Sequence, residues 1–474
     1  MSSLMPGRFT RAAALLGLVM LGGCASFSPD GGLIGVNAIT GPALGHDAVA
    51  LRTPEQAEAV SARVKALLRQ PLTADRAVQI ALLNNRELQA AYNALALSEA
   101  AMVQASLPPN PTFSLERIAG TGALEIEGRI AGSLLQLATL PARAEIASER
   151  FRQAQFQAAS ETLRIASEAR RAFYRAVAAR VLASYLAQAR ETGQTAAELA
   201  GRLGETGAMN KLDQARNQAF YAEIVAQLAS ARLRAASERE RLVRALGLWG
   251  NDLDFKLPAQ LPPLPAHART LIQIETDAVR RRVDLQMARI EADLLAKSYG
   301  LTHATRFISL LDVAGIAKKQ RENGETVRER GFEIEVQVPL FDFGEVKVRQ
   351  AEETYLQAVN RLTAKAVNVR SEAREAYQAY RASFDIARHY RREVLPLRKI
   401  ISDEMLLRYN AMQIDVFALL IEARQRITAT NAAIEAERDF WLAETNLGAA
   451  VLGGNAGSAS PEPAATIRLR NQSP

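Results

Sequence analysis

From residue 331 to 340 the chain alternates strictly: Phe332, Ile334, Val336 and Val338 against Glu333, Glu335 and Gln337. A period of two predicts a strand with one apolar and one charged face. A second run at 123–137 sets Leu124, Ile126, Ile130 and Leu134 against Glu125, Glu127, Arg129 and Ser133. Shorter or less regular runs at 112–118 and 306–316 complete a set of four predicted strands. The other pattern in the chain is helical. Between Pro141 and Pro258 there is no proline, and small apolar residues recur at three and four, as in Ala166, Ala169, Phe173 and Val177. Ala142 to Arg202 therefore reads as a helix of about 60 residues, roughly 90 Å at 1.5 Å per residue. Its narrow Ala-rich stripe suits close coiled-coil contact. On the helices alone, a generic coiled-coil scaffold fits equally well.

The elements occur twice. ELQAAYNALALSEA (87–100) is similar to DLQMARIEADLLAK (284–297), with Leu88 matching Leu285. Arg152-Gln153-Ala154 recurs as Arg349-Gln350-Ala351, and Pro141 as Pro339, at an offset near 200 residues. ALGLWG (245–250) and NLGAAVLGG (446–454) close the two halves. This is a tandem duplication of one large unit, not a short-period solenoid. The first repeat (71–250) and the second (271–452) each predict a helix, two strands and two long helices. Their helix pairs divide near Gly201–Gly207 and near Asn410, and Thr73 is the predicted N-cap of a helix reaching Ser106. Residues 251–270 form a Pro-rich linker, 24–70 an N-terminal tether, and 453–474 a Gly/Ser/Pro tail expected to be disordered.

The N-terminus changes the compartment. Arg8 and Arg11 precede a short apolar run from Ala12 to Met20, which fits a signal h-region and predicts a signal peptide at 1–23. The run ends in Leu21-Gly22-Gly23-Cys24, which resembles a bacterial lipobox and implies lipidation of Cys24, as with palmitate. Cys24 is the only cysteine, so no internal disulfide is expected despite export. The formal charge of +7 comes from Arg and Lys dispersed among Glu along helices. That reads as solvated helix faces; no dense basic block points to nucleic acid. His46, His267, His303 and His389 are scattered, no Gly-rich phosphate loop occurs, and no metal-ligand spacing is present. Neither an enzyme nor a cofactor is expected.

The strands decide between scaffold and membrane protein. Each good strand is about 10 residues long, enough to cross a bilayer when tilted. Four strands cannot close a barrel, and an open sheet in lipid leaves edge backbone groups unsatisfied. Several chains must then share one barrel, with apolar faces toward lipid and Glu125, Glu127, Glu333 and Glu335 lining water.

VPLFDFGEVKVRQAE (338–352), GAMNKLDQAR (207–216) and YNAMQIDVFALLIEAR (409–424) together resemble the TolC family of outer-membrane efflux channels, in its lipoprotein branch. The first is similar to the family's strand-to-helix junction, the others to its two helical hairpins. The resemblance covers nearly all of 70–452. It implies a homotrimer, a 12-stranded transmembrane β-barrel and a long periplasmic α-helical barrel. It also implies a periplasmic adaptor and an inner-membrane pump as partners, with the chain a passive conduit for small molecules. Ser26, two residues after Cys24, favours outer-membrane sorting by the same resemblance. The resemblance gives Asp213 and Tyr409 a gating role at the periplasmic tip, where a Tyr409–Asp213 hydrogen bond is expected, and Asp415 is a candidate acidic ring. The sequence departs from the family at Met412, where Gly is usual, and at Ile414, where Arg is common. Alternatives are a conduit for type I protein secretion and a lipid-anchored periplasmic coiled-coil tether. Replacing Cys24 by Ser is expected to abolish incorporation of radiolabelled palmitate while the strands still insert; unchanged labelling overturns the anchor.

Overall fold

The structure, a computed structural model, describes residues 26–121, 123–322 and 325–454. The expected signal peptide, Cys24 and residues 455–474 lie outside them. The chain is mainly helical with four strands, and the helix–strand–strand–helix–helix order appears twice. It divides into two compact units. One comprises residues to Ile39, Gln89–Ala159 and Asp284–Val367; the other holds Thr40–Leu88, Ser160–Val283 and the chain from Asn368.

The first unit contains the sheet. Strands β1 (Thr112–Gly120), β2 (Ala123–Ser133), β3 (Leu310–Glu322) and β4 (Glu325–Gln337) form an antiparallel sheet in the order β1-β2-β3-β4. The second hairpin is longer than the alternation predicts: β3 lies later, ending at Glu322 and not near 316, while β4 starts earlier, at Glu325 and not near 330. Its outward half carries Lys319, Arg321, Arg328 and Arg330 where an apolar residue was expected, which hides the period. β2 ends at Ser133, and Leu134–Ala138 is a short helix, not strand.

The junction after β4 is built by local chemistry. The Phe343 N–H donates to the Pro339 carbonyl at 2.9 Å, and Glu345 N–H to the Asp342 carbonyl at 2.8 Å. Asp342 Oδ1 accepts from the Gly344 N–H at 3.1 Å. Gly344 has φ +73°, and a Cβ there would collide with the Arg306 carbonyl. The first-repeat junction has no such turn: Pro141 lies second in the next helix, where its missing N–H has no consequence, while Pro339 lies in the turn. The Pro141–Pro339 match is therefore not a structural one.

The N-terminal segment is not a loose tether. Helix α1 (Leu33–Leu44) and helix α2 (Pro54–Leu68) are both formed, and Thr53 and Gln56 make a capping box on α2. The Ser28 N–H donates to Glu99 at 2.7 Å, and Gln155 donates to the Gly32 carbonyl at 3.4 Å. Val36 and Val64 are fully buried, at 0% and 1% exposure.

In each repeat the first predicted helix is two. Helices α3 (Ala74–Asn84) and α4 (Arg86–Ser106) break at Asn85, whose Oδ1 accepts from the Glu87 and Leu88 N–H groups and recaps the chain. Thr73 caps α3 as predicted, accepting from the Arg76 N–H at 3.2 Å. After α5 (Leu134–Ala138) comes α6 (Leu140–Glu205), then α7 (Lys211–Leu246). In the second repeat α8 (Ile274–Arg281) and α9 (Val283–Ala304) break at Arg282. Then α10 (Glu345–His389) runs into a π-turn at Tyr390–Val394, and α11 (Leu395–Asn410) follows. Pro396 sits in the first turn of α11; it cannot donate to the Arg392 carbonyl, and the wider turn just before it absorbs the mismatch. Last is α12 (Val416–Leu452).

The core of the second unit is the Ala stripe plus one aromatic cluster. Ala166, Ala169, Phe173 and Val177 are at most 2% exposed. Phe440 contacts Tyr380, Phe384 and Trp441 with ring centroids 5.0–5.7 Å apart, and Tyr174 stacks on Trp441. Burial raises the Tyr174 phenol above its ordinary pKa, so it stays neutral at physiological pH. The linker is extended, as its prolines require, but tied down. Arg239 donates to the carbonyls of Leu253 and Phe255, Arg180 to that of Leu257, and Trp441 to that of Pro262.

Gly344→Ala is expected to destabilise the β4–α10 junction by roughly 1–3 kcal/mol. A strand glycine with open space, Gly331, is the control. Thermal unfolding in detergent should show Gly344→Ala well below Gly331→Ala; equal midpoints would mean that the turn relaxes freely.

Candidate functional site

Two features of the chain cannot be explained by a packed interior: the surfaces of the sheet and the two turns joining the long helices.

Antiparallel partners share a face, so the register sorts every strand residue. Ser133 pairs with Asp312, which pairs with Glu335; Ala131, Ala314 and Glu333 form the next row; Glu127, Lys318 and Glu329 stand two rows beyond. One face therefore carries Glu116, Glu125, Glu127, Asp312, Glu322, Glu325, Glu329, Glu333 and Glu335 against only Arg129 and Lys318. Two of these glutamates are paired: Arg129 with Glu333 at 3.1 Å and Lys318 with Glu125 at 2.6 Å. Along β3 this face is the more enclosed, with Ala314 only 2% exposed and Asp312 Oδ1 buried without a hydrogen bond. The sequence-predicted set Glu125, Glu127, Glu333 and Glu335 thus lies on one face, together with five further acids that sequence reasoning did not single out.

The opposite face holds Phe113, Leu115, Ile130, Phe332, Ile334 and Val336, all between 49% and 79% exposed. Among the described residues no segment covers them. At the helix-proximal border Leu340, Phe341 and Phe343 are also exposed. An apolar patch of this kind marks a surface made for something other than water. β1 and β4 each have one neighbour, so one backbone edge of each is unpaired among the described residues.

The two helix-joining turns are built alike. In the first, the Gly207 N–H donates to Gly204 and the Ala208 N–H to Leu203; in the second, Met412 donates to Tyr409 and Gln413 to Arg408. Both are Schellman closures. The left-handed residue is Gly207 in the first (φ +72°) and Met412 in the second (φ +58°). The following helices are capped in kind: Asn210 Oδ1 accepts from the Asp213 N–H, and Asp415 Oδ1 from the Ala418 N–H, both at 2.9 Å. The structural counterpart of Asp415 is therefore Asn210, a residue that the sequence reading missed although N-cap chemistry three residues after the left-handed position marks it. Asp213 stands in the first turn of α7, paired with Arg216 at 3.1 Å and with the Asn210 amide at 2.7 Å. The expected Tyr409–Asp213 hydrogen bond is not formed within the chain, where Asp213 bonds Arg216 and Asn210. Tyr409 instead lines a cavity of about 600 Å³ with Leu203, Met209, Phe220, Leu406 and Leu420.

Residues 276–401, in the second repeat, match the family model described as outer membrane efflux protein. The chain has the TolC-type fold of outer-membrane efflux channels, in agreement with the resemblance read from its sequence. Three solved structures illustrate it. The Campylobacter jejuni CmeC outer membrane channel is 14% identical, with a TM-score of 0.65 over 80% of this chain and 86% of its own. The Vibrio cholerae outer membrane protein VceC is 13% identical, with a TM-score of 0.66 over 84% and 97%. The open-state MtrE outer membrane channel of Neisseria gonorrhoeae is 16% identical, with a TM-score of 0.60 over 80% and 88%. No curated protein sequence matches the chain.

Val336 and Glu335 are adjacent but on opposite faces. If the apolar face meets lipid, Phe332→Arg, on the same face as Val336 and about midway between Arg328 and Gln337, is expected to cost about 2–4 kcal/mol and to reduce assembled protein, Val336→Arg near the helix-side interface about 0–1 kcal/mol, while Glu335→Arg assembles and shifts ion selectivity toward anions. Gel mobility of unheated samples and reversal potentials in planar bilayers measure both; the reverse pattern overturns this assignment of faces.

Proposed function

We propose that the chain is the outer-membrane conduit of a tripartite efflux system. It would be a homotrimer that receives small molecules from an inner-membrane pump through a periplasmic adaptor and releases them passively outside. The observation that carries this reading is the sheet itself: four strands with two open edges, an uncovered apolar face free of acids, and a face crowded with carboxylates. β4 of one copy running beside β1 of the next continues the antiparallel order, so three copies give twelve strands and no edge. The lipid at Cys24 would be an auxiliary anchor. The carboxylate face would line a water-filled lumen and favour cations. The helix-joining turns would form the periplasmic tip, where Asp213, Tyr409 and Asp415 repeat around the axis and Tyr409 meets Asp213 only between copies.

The test is single-channel recording from purified protein in planar bilayers. Cation-selective conductance is expected; a coiled-coil tether would give none and would overturn the channel. Tyr409→Phe combined with Asp213→Ala is expected to raise conductance by loosening the tip. Wild-type conductance in that double variant would leave Asp213 as a first-turn helix residue favoured by the N-terminal dipole only.

A further inference from the structure

The apolar face of the sheet is apolar over only part of its height. Toward the hairpin turns it carries Arg117, Lys319, Arg321, Arg328 and Arg330, all exposed. Arg117 pairs with Ile126, Ile126 with Lys319 and Lys319 with Arg328, so three cations share one lateral row across all four strands. Arg330 lies one row nearer the helices and Arg321 one row nearer the turns. No acidic residue falls on this face among the described strand residues, and none of the five cations makes an ion pair there. Neighbouring strands stand about 4.8 Å apart, so the row extends across roughly 15 Å.

Cations on a lipid-facing surface are costly at mid-membrane and favourable at the headgroups. From Arg328 to the end of β4 at Gln337 is roughly 30 Å along the strand, or about 23 Å along the membrane normal at a tilt of about 40°, against an apolar band about 25 Å tall. The cation rows therefore fall at headgroup level on the hairpin side when the exposed aromatics near Phe341 fall at the other interface. Five uncompensated cations on so small a patch exceed what one singly charged headgroup can neutralise. They match a headgroup bearing several phosphates, each able to take bidentate contacts from arginine.

We infer that this patch binds a multiply phosphorylated glycolipid of the outer leaflet, with Arg117, Lys319, Arg321, Arg328 and Arg330 contacting its phosphates. The inference rests on the channel reading above, since it needs this face in the membrane.

The test places full-length wild-type protein and the variant carrying Arg117→Gln, Lys319→Gln, Arg321→Gln, Arg328→Gln and Arg330→Gln in phosphatidylcholine vesicles doped with diphosphorylated lipid A. Lipid retained after detergent extraction is counted by mass spectrometry. Wild type is expected to retain at least tenfold more lipid A than the variant, and tenfold more lipid A than lipid A stripped of its phosphates. The second comparison uses wild type only, so it holds even where the variant fails to assemble. Equal retention of the two lipids overturns the inference, as does equal retention of phosphatidylglycerol and lipid A, which would leave a general preference for negative charge. Conductance in pure phosphatidylcholine is read in parallel: its presence with no lipid A preference sinks the lipid site alone, while its absence sinks the channel.

Discussion

The constraint on which the rest depends is that backbone N–H and C=O groups cannot be left unpaired in hydrocarbon. A sheet of four strands ends in two unpaired edges, and the exposed side chains of one face leave it no aqueous alternative. On the channel reading, only further strands can satisfy these edges, and one chain is then a fraction of the barrel. The duplication supplies strands in pairs, and the antiparallel order lets identical copies add without a mismatch in direction.

The two faces of the sheet then divide the chemistry. Charge on the enclosed face is partly paired, through Arg129–Glu333 and Lys318–Glu125, and otherwise left to water. Exposed pairs of this sort contribute little to stability, typically below about 1 kcal/mol. Their effect is better understood as shaping a field: on that face the unpaired carboxylates outnumber the cations, and in a closed barrel they would set a negative potential. The other face does the reverse, with apolar contact over most of its height and positive charge at one margin. A one-residue slip in register would exchange the two surfaces, so the alternation is under constraint from both sides at once.

How much of this was legible in the sequence follows from which signals are local. Most of β2 and the helix-proximal half of β4 were readable because each alternates strictly. The outward halves of β3 and β4 were not, because Lys319, Arg321, Arg328 and Arg330 replace the apolar partner that the period needs. Thr73 announced its helix, and Asn85, of a residue type that favours N-caps over helix interiors, carried a second cap signal that its side-chain bonds to Glu87 and Leu88 bear out. The segment 24–70 reads as a tether behind the lipid, yet Gly32 and Gly35 serve close approach to the side chains of Phe151 and Gln155. Long-range packing of that kind leaves no periodic trace. The faces of the sheet were recoverable for the four glutamates on clean strands and not for Asp312 or Glu329, whose strands were bounded wrongly.

The turns between the long helices show how a duplicated unit tolerates divergence. Both keep the same closure, the same left-handed position and the same N-cap three residues on, although the residues differ at every step: Gly207 against Met412, Asn210 against Asp415. Glycine adopts the left-handed conformation without strain, whereas an ordinary side chain there costs on the order of 1–2 kcal/mol. Met412 is 93% exposed, so no buried contact offsets that cost within the chain. Two facts follow for the site. The geometry of the turn is fixed by its hydrogen bonds and not by the residue at its apex, so the substitution preserves where Tyr409 and Asp415 stand. The exposed thioether is then an apolar, flexible group at the end of a helical hairpin, where a partner surface would find purchase that glycine does not offer.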